Sequence, residues 1–238
     1  RLSGVSNGRT TRLLGPGGTR FKSNRTQDAE GLGVYGAKGT EGQLLVAFER
    51  RERILRYNFG RHGFRAQPKT IRLPRDARKA EYNKELEAVG RFGKGTKLSG
   101  TIIAFSERFL DARGNIRGWL IGGRRPGPIA VRRSDDFDIT DLAILPGGDV
   151  LILERSFSVI KLAGMRIRRI AHKDIKPKAV LDGEVLVEAG QPARTIDNME
   201  GIAVHRSPKG ELRISIISDD NFNPLQRTLL LQFALVEE

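Results

Sequence analysis

The feature that most constrains this chain is an acid that returns at a near-constant interval, each time just ahead of a short apolar run. By subtraction of their residue numbers, Glu30, Glu87, Asp141 and Glu200 lie 57, 54 and 59 positions apart. Each belongs to a segment of the same grammar: "DAEGLGVYGAKGTEGQLLVAFERRERILRYNF" from Asp28, "KELEAVGRFGKGTKLSGTIIAFSERF" from Lys84, "DITDLAILPGGDVLILERSFSVIKLAG" from Asp138, and "DNMEGIAVHRSPKGELRISIISDDN" from Asp197. A Gly-rich turn such as "PGGD" or "PKGE" follows the first run. A stronger run ("LLVAF", "TIIAF", "VLIL", "ISII") then ends in a second acid: Glu49, Glu107, Glu154 or Asp219. Arg50, Arg108 and Arg155 stand directly behind three of these, and Asp220 behind the fourth. Self-similarity at this period, built from short strands and turns, predicts β-propeller blades of about four strands each. Helical periodicity is scarce. "DARKAEYNKELEAVGRF" (Asp76–Phe92) reads as one short helix or as a loop, and strand repeats without alternating helices argue against a parallel α/β fold. The expectation is an all-β chain with four blade-like repeats.

That geometry gives the acids a place. The first strand of a propeller blade lines the central channel, so equivalent positions face one another, and like charges held there repel unless a cation or protons neutralise them. An all-oxygen ring suits a hard ion such as Ca²⁺. Glu30, Glu87, Asp141 and Glu200 are therefore candidate metal ligands. The bland alternative stands beside this one: each acid pairs with the strand-end Arg of a neighbouring repeat, or caps backbone N–H groups. Asp219, Asp220 and Asn221 form a second cluster in "SDDNFN", a polar loop running into Asn223–Pro224. It reads equally as an ion-binding loop or as a capped turn.

Composition removes other chemistries. With 38% hydrophobic residues the 238-residue chain can bury a core. It has no cysteine, which excludes disulfides, thiolate metal sites and a Cys nucleophile. His62, His172 and His205 are scattered without zinc spacing. No G-x-S-x-G elbow is present, so Ser106, Ser156 and Ser218 read as strand-end residues rather than nucleophiles. "GPGGTR" (Gly15–Arg20) lacks the Walker Lys-Ser/Thr pair and reads as a turn. The net charge of +14 attracts anions. Its Lys and Arg residues do not interleave with the aromatics, only 6% of the chain, so an anionic small molecule fits better than nucleic acid. No run approaches the ~18 apolar residues of a membrane span. Carboxylates, amides and arginines remain, and these suit metal-assisted hydrolysis. Glu200 and Asp197 are the candidate catalytic or water-orienting groups, and Arg227 a candidate phosphate contact, with Arg50, Arg108 and Arg155 as further ones. His205 reads as an acid–base group or a surface residue.

The most specific motifs are "DNMEGIAV" (Asp197–Val204) and "SDDNFNPLQRTLLLQFAL" (Ser218–Leu235). Together they resemble the bacterial "esterase-like activity of phytase" family. "DAEGL" (Asp28–Leu32), "LLVAFERRERILRY" and "ILPGGDVLILERSFS" (Ile144–Ser158) follow the family in the same order, so the resemblance covers nearly the whole chain from Asp28. It implies a single phytase-like β-propeller domain over residues 1–238. That propeller would have about six blades in the complete protein, with "RLSGVSNGRTTRLLG" the end of an earlier one. It also implies export to the periplasm or outside the cell with the signal peptide removed, Ca²⁺ as cofactor, and hydrolysis of phosphoesters such as phytate. Two rival readings are a non-catalytic propeller with a structural metal, and a lactone or carboxylester hydrolase.

Overall fold

The computed structural model describes residues 11–38, 41–50, 53–60, 67–79, 86–158, 162–190 and 196–236. Readings that fall on His62, on Lys84 or on Thr195 lie outside them. Four sheets correspond to the four sequence repeats. Blade 1 holds β1 (Ala29–Lys38), β2 (Glu41–Phe48), β3 (Arg53–Phe59) and β4 (Lys69–Ile71). Blade 2 holds β5 (Leu86–Arg91), β6 (Ile102–Leu110), β7 (Ile116–Ile121) and β8 (Gly127–Val131). Blade 3 holds β9 (Asp138–Ile144), β10 (Val150–Ser158), β11 (Leu162–Ile170) and β13 (Glu184–Gly190), and blade 4 holds β14 (Met199–Arg206), β15 (Leu212–Ser218) and β16 (Leu230–Ala234). Within each blade the pairing is antiparallel, and tight turns join β9 to β10 and β14 to β15. Gly148 in "PGGD" and Gly210 in "PKGE" take φ of 97° and 85°, a region L side chains avoid. The first strands, β1, β5, β9 and β14, lie side by side in that order, and the blades are arranged as a β-propeller.

The core lies between blades. Leu45, Ala47 and Ile54 of blade 1 pack with Leu86, Val89 and Trp119 of blade 2. Ala88, Ile103 and Phe105 of blade 2 pack with Ile139, Leu142 and Ile152 of blade 3, and Leu151, Leu153 and Ile167 of blade 3 with Ile202, Ile214 and Ile216 of blade 4. Apolar side chains stand on both faces of the central strands, which is why these read as near-continuous apolar runs. Blades 2 and 3 are also joined through the backbone: β12 (Val180–Leu181), from the loop after β11, pairs parallel with β8. In the Asp76–Phe92 stretch, Ala77–Lys79 make a single 3-10 turn and β5 begins at Leu86; residues 80–85 lie outside the described set.

Every first strand carries a register shift, and in three of the four the shift marks the acid. In blades 2 and 4 the residues skipped in the ladder are Glu87 and Glu200, and in blade 1 the shift falls across Glu30 and Gly31. In blade 3 Ile139 pairs with Glu154 and Asp141 with Leu153, so the skipped residue is Thr140. Thr140, not Asp141, is thus the counterpart of the leading acids. By the same register Arg155, not Glu154, is the counterpart of Glu49, Glu107 and Asp219. A one-residue slip turns a side chain to the opposite face. Glu154, fully buried, accordingly meets Arg166 and Arg168, at 2.9 Å and 2.6 Å, inside the blade.

Candidate functional site

The bulges gather the acids at one end of the first strands. β1 can approach β5 closely because it carries Gly31 and Gly33 there. A Cβ on Gly31 would lie 2.3 Å from the Glu87 carbonyl oxygen, and one on Gly33 2.6 Å from that of Val89. The "GLG" of "DAEGLG" therefore permits the inter-blade contact that brings Glu30 towards Glu87. Asp28, Glu30 and Glu49 each place a carboxylate oxygen within 4.8 Å of the others, and among the described residues this is the acid group close enough to share one ion. Burial, together with the negative charges of Glu49 and Asp28, pushes the Glu30 carboxyl up to about 7. Burial lifts Glu87 well above the carboxylate range, with Glu30, Glu49 and Glu107 adding to it, and Glu87 shares a hydrogen bond with Glu49. Arg50 pairs with Asp28 at 2.7 Å, so one cation already stands at the group; the four carboxyls so placed need protons or a further cation to balance the rest.

In the other half of the centre one cation bridges two acids. Arg155 donates from Nη1 to Glu200 Oε1 at 2.8 Å and to Asn198 Oδ1 at 2.5 Å, and from Nη2 to Glu107 Oε1 at 3.1 Å. Asn198 in turn donates to Glu200 at 2.6 Å. Desolvation works against the Arg155 charge, but Glu200 and Glu107 outweigh it and hold its pKa up. Glu200 stays above its ordinary value, raised first by burial and held back by Arg155. The four leading acids are thus not one ring of equivalent ligands. Arg155, at the blade 3 position where the other blades carry an acid, splits the centre into a half where one arginine serves Glu107 and Glu200 and a more acidic half where Arg50 serves Asp28 alone among four carboxyls.

The remaining predicted residues hold backbone. Asp141 is buried, its two oxygens accepting N–H groups from Leu142 and Ile202, each at 2.8 Å, which ties blade 3 to blade 4. Asp197 accepts from the N–H of Asn198 at 3.0 Å and of Arg227 at 3.2 Å, and the Arg227 guanidinium lies 3.5 Å from it. In the "SDDN" loop Asp219 accepts from the Asn221 N–H, Asp220 accepts from the Phe222 N–H and the Thr228 hydroxyl, and Asn221 has φ of 50°. These are the bonds of a capped turn. The Asp219 charge still reaches Glu200. His205 lies towards the far end of β14, with its ring 3.5 Å from Gln232. Asp28 and Glu49 were not among the predicted ligands. The signal for Asp28 was its place two residues before Glu30, and for Glu49 its place at the end of the adjacent strand.

A cleft of about 870 Å³ opens beside this centre. Glu107, Arg155 and Asn198 line it, with Arg108 and Arg133 on one side and the "SDDNFNPLQ" loop on another. Asp138 holds both wall arginines, at 3.3 Å from Arg108 and 3.0 Å from Arg133. Phe157 and Leu225, 76% and 89% exposed, give the cleft an apolar rim. No helix among the described residues is long and apolar enough to cross a membrane.

The fold and this centre define a class: β-propellers that gather carboxylates from adjacent blades at one end of the first strands. The model of the phytase-like family, described as "esterase-like activity of phytase", matches residues 1–222, and the chain belongs to that family. Among solved structures the chain is similar to the endo-arabinase from Bacteroides thetaiotaomicron VPI-5482, at 10% identity over 96% of this chain and 99% of that one. The TM-score is 0.31, a likeness too distant to carry function. No curated protein matches the chain.

Proposed function

We propose that the protein is a Ca²⁺-dependent hydrolase of phosphoesters, working at the acid centre and the cleft beside it. The observation that carries this is the acid group of Asp28, Glu30 and Glu49, with Glu87 packed against it. Ligands of one Ca²⁺ lie at most about 5 Å apart, and hard oxygen donors are what that ion takes. The spacing within 4.8 Å and the all-carboxylate donor set fit it. When bound, the ion would polarise an ester oxygen and lower the pKa of a water. The chain's own residues do the rest. Arg155 fixes Glu200 and Glu107 between the acid group and the cleft, and Arg108 and Arg133 orient an anionic group against the cleft wall. Membership of the phytase-like family supports the reading, and with it goes an exported, periplasmic or secreted location. Assays of the purified protein with Ca²⁺, and with the ion chelated, against a panel of phosphoesters and carboxylesters test it. Ca²⁺-dependent turnover lost in Glu30→Gln and Glu49→Gln supports the proposal; no hydrolysis across the panel overturns it.

One observation favours a second reading. The cleft sets three arginines (Arg108, Arg133, Arg155) against four acids (Glu107, Asp136, Asp138, Asp197), so its lining is not positive overall. With Phe157 and Leu225 at the rim, this suits a carboxylester or lactone of low charge better than a polyanion. Preference for such esters in the same panel would decide for it.

A further inference from the structure

The arginines beside the acid centre have acidic partners; a group of cations at the opposite end of the blades has none among the described residues. Arg91, at the other end of β5 from Glu87, pairs with Ile102, and Ile102 with Ile121. The turns after β5 and β7 therefore lie roughly 13 Å of strand away from the acids. Val150 pairs with Ile170, which puts the segment after β11 at that same end. There a cavity of about 600 Å³ is lined by Lys97, Arg124, Arg125, Lys173 and Lys176. None of the five forms an ion pair among the described residues. Asp149, bonded to the His172 N–H at 2.8 Å, is committed to Arg169 at 2.7 Å. Asp174, on the same turn as His172, does not line the cavity.

The backbone beneath these exposed side chains is held in place. Gly122 and Gly123 both take φ of 67°, and a Cβ on Gly123 would lie 2.0 Å from Thr101 Oγ1. The turn carrying Arg124 and Arg125 is thus pressed onto the start of β6, where buried Thr101 and Ile175 form the cavity floor. The His172 ring packs edge-on against Phe92, with centroids 6.0 Å apart, and its buried Nε2 has no hydrogen-bond partner among the described residues. A solvated surface would spread such charges over a convex face and mix them with acids. The five cations are solvent-exposed around the rim of this concavity; with no acidic partner among the described residues they repel one another, and a polyanion seated between them relieves that repulsion.

We propose that this cavity is a second binding site, for a compact ligand carrying clustered phosphate groups. Arg124 and Arg125 offer forked donors and the three lysines point charges, which together suit several phosphates at once. Among the described residues no Phe, Tyr or Trp lines the cavity to stack a base, which argues against single-stranded nucleic acid. The same chemistry comes from a free polyphosphate or from a phosphorylated lipid headgroup, and the test separates the two. The full chain is titrated calorimetrically with tripolyphosphate, with EGTA present so that no metal at the acid centre recruits the anion. It is also sedimented with phosphatidylcholine vesicles with and without phosphatidylinositol bisphosphate. Arg124→Glu/Arg125→Glu is compared with Lys22→Glu/Lys209→Glu, which makes the same change in net charge elsewhere; circular dichroism and melting confirm that both are folded. The cavity pair is expected to bind about tenfold weaker or less, having lost charge-assisted phosphate contacts, while the control stays near wild type. Loss in the tripolyphosphate arm assigns a soluble ligand, and loss confined to the vesicle arm assigns the headgroup. Equal loss in both variants, no binding in either arm, or tighter binding of a random oligonucleotide per phosphate would overturn the proposal.

Discussion

Asp141 is 8% exposed, yet two backbone N–H groups from different blades end on its carboxyl. Burial outweighs those bonds and lifts it to about 7. Between its unfolded value near 3.8 and about 7, the folded protein keeps a proton that the unfolded chain releases. This contribution to stability is fully present below the unfolded value and is lost as pH rises through about 7. Asp141→Asn should remove that part of the pH dependence of urea midpoints between pH 4 and 8. It should also cost about 1–3 kcal/mol at pH 5, because the amide nitrogen cannot accept the second N–H. An unchanged slope would show that the proton is held elsewhere. Arg155 poses the converse case. Arg155→Met leaves Glu107 and Glu200 facing each other without a counter-charge, so we expect a loss of about 1–3 kcal/mol, discounted for the solvent that reaches the guanidinium. The loss should be larger at pH 8 than at pH 5, because the Glu200 carboxyl, raised above its ordinary value by burial, takes up a proton more readily as the pH falls. Loss of the same size at both pH values would mean that Arg155 acts by packing alone.

β1 and β5 meet backbone to backbone, and that contact sets the distance between Glu30 and Glu87. Gly31→Ala places a methyl 2.3 Å from a carbonyl oxygen that no rotamer change can move. The two strands must part, at about 1–3 kcal/mol. Ca²⁺ binding measured by calorimetry should weaken about tenfold if the acid group needs Glu87 nearby. Gly190→Ala, with open space around its Cβ, serves as the control and should do neither. The apolar runs that became β2, β6, β10 and β15 were legible in the sequence, as were the glycine turns between strands, because both follow from burial and backbone freedom that each residue carries locally. The slip in blade 3 was not. "DITD" offers two acids and a threonine within four residues, and only the ladder shows that Thr140 bulges, Asp141 turns to blade 4 and Arg155 takes the second acid's place. Nor did anything in "VLDG" announce β12, whose pairing with β8 depends on where blade 3 delivers its loop.

At the scale of the molecule, the period predicted the propeller, but the composition of its centre is a property of neighbouring blades and is written in no single repeat. Each blade contributes a bulged first strand, yet one corner is acidic and the next is closed by Arg155. The acidic corner and the Arg155 corner should therefore respond differently to metal. If the ion sits among Asp28, Glu30 and Glu49, Ca²⁺ at about a hundred times its dissociation constant stabilises the fold by about 2.7 kcal/mol. For a chain of this size that raises the melting temperature by about 5–10 °C over the chelated protein. Glu30→Gln and Glu49→Gln remove a ligand and should abolish most of this rise. Glu200→Gln removes a carboxylate that Arg155 already neutralises, so the rise should persist while the baseline melting temperature falls. If Glu200→Gln abolishes the rise as fully as Glu49→Gln does, the ion lies across the whole centre and Arg155 must move aside to admit it. If no variant shows a rise, the raised carboxyls of the acidic corner are held by protons, and the hydrolase reading loses its metal.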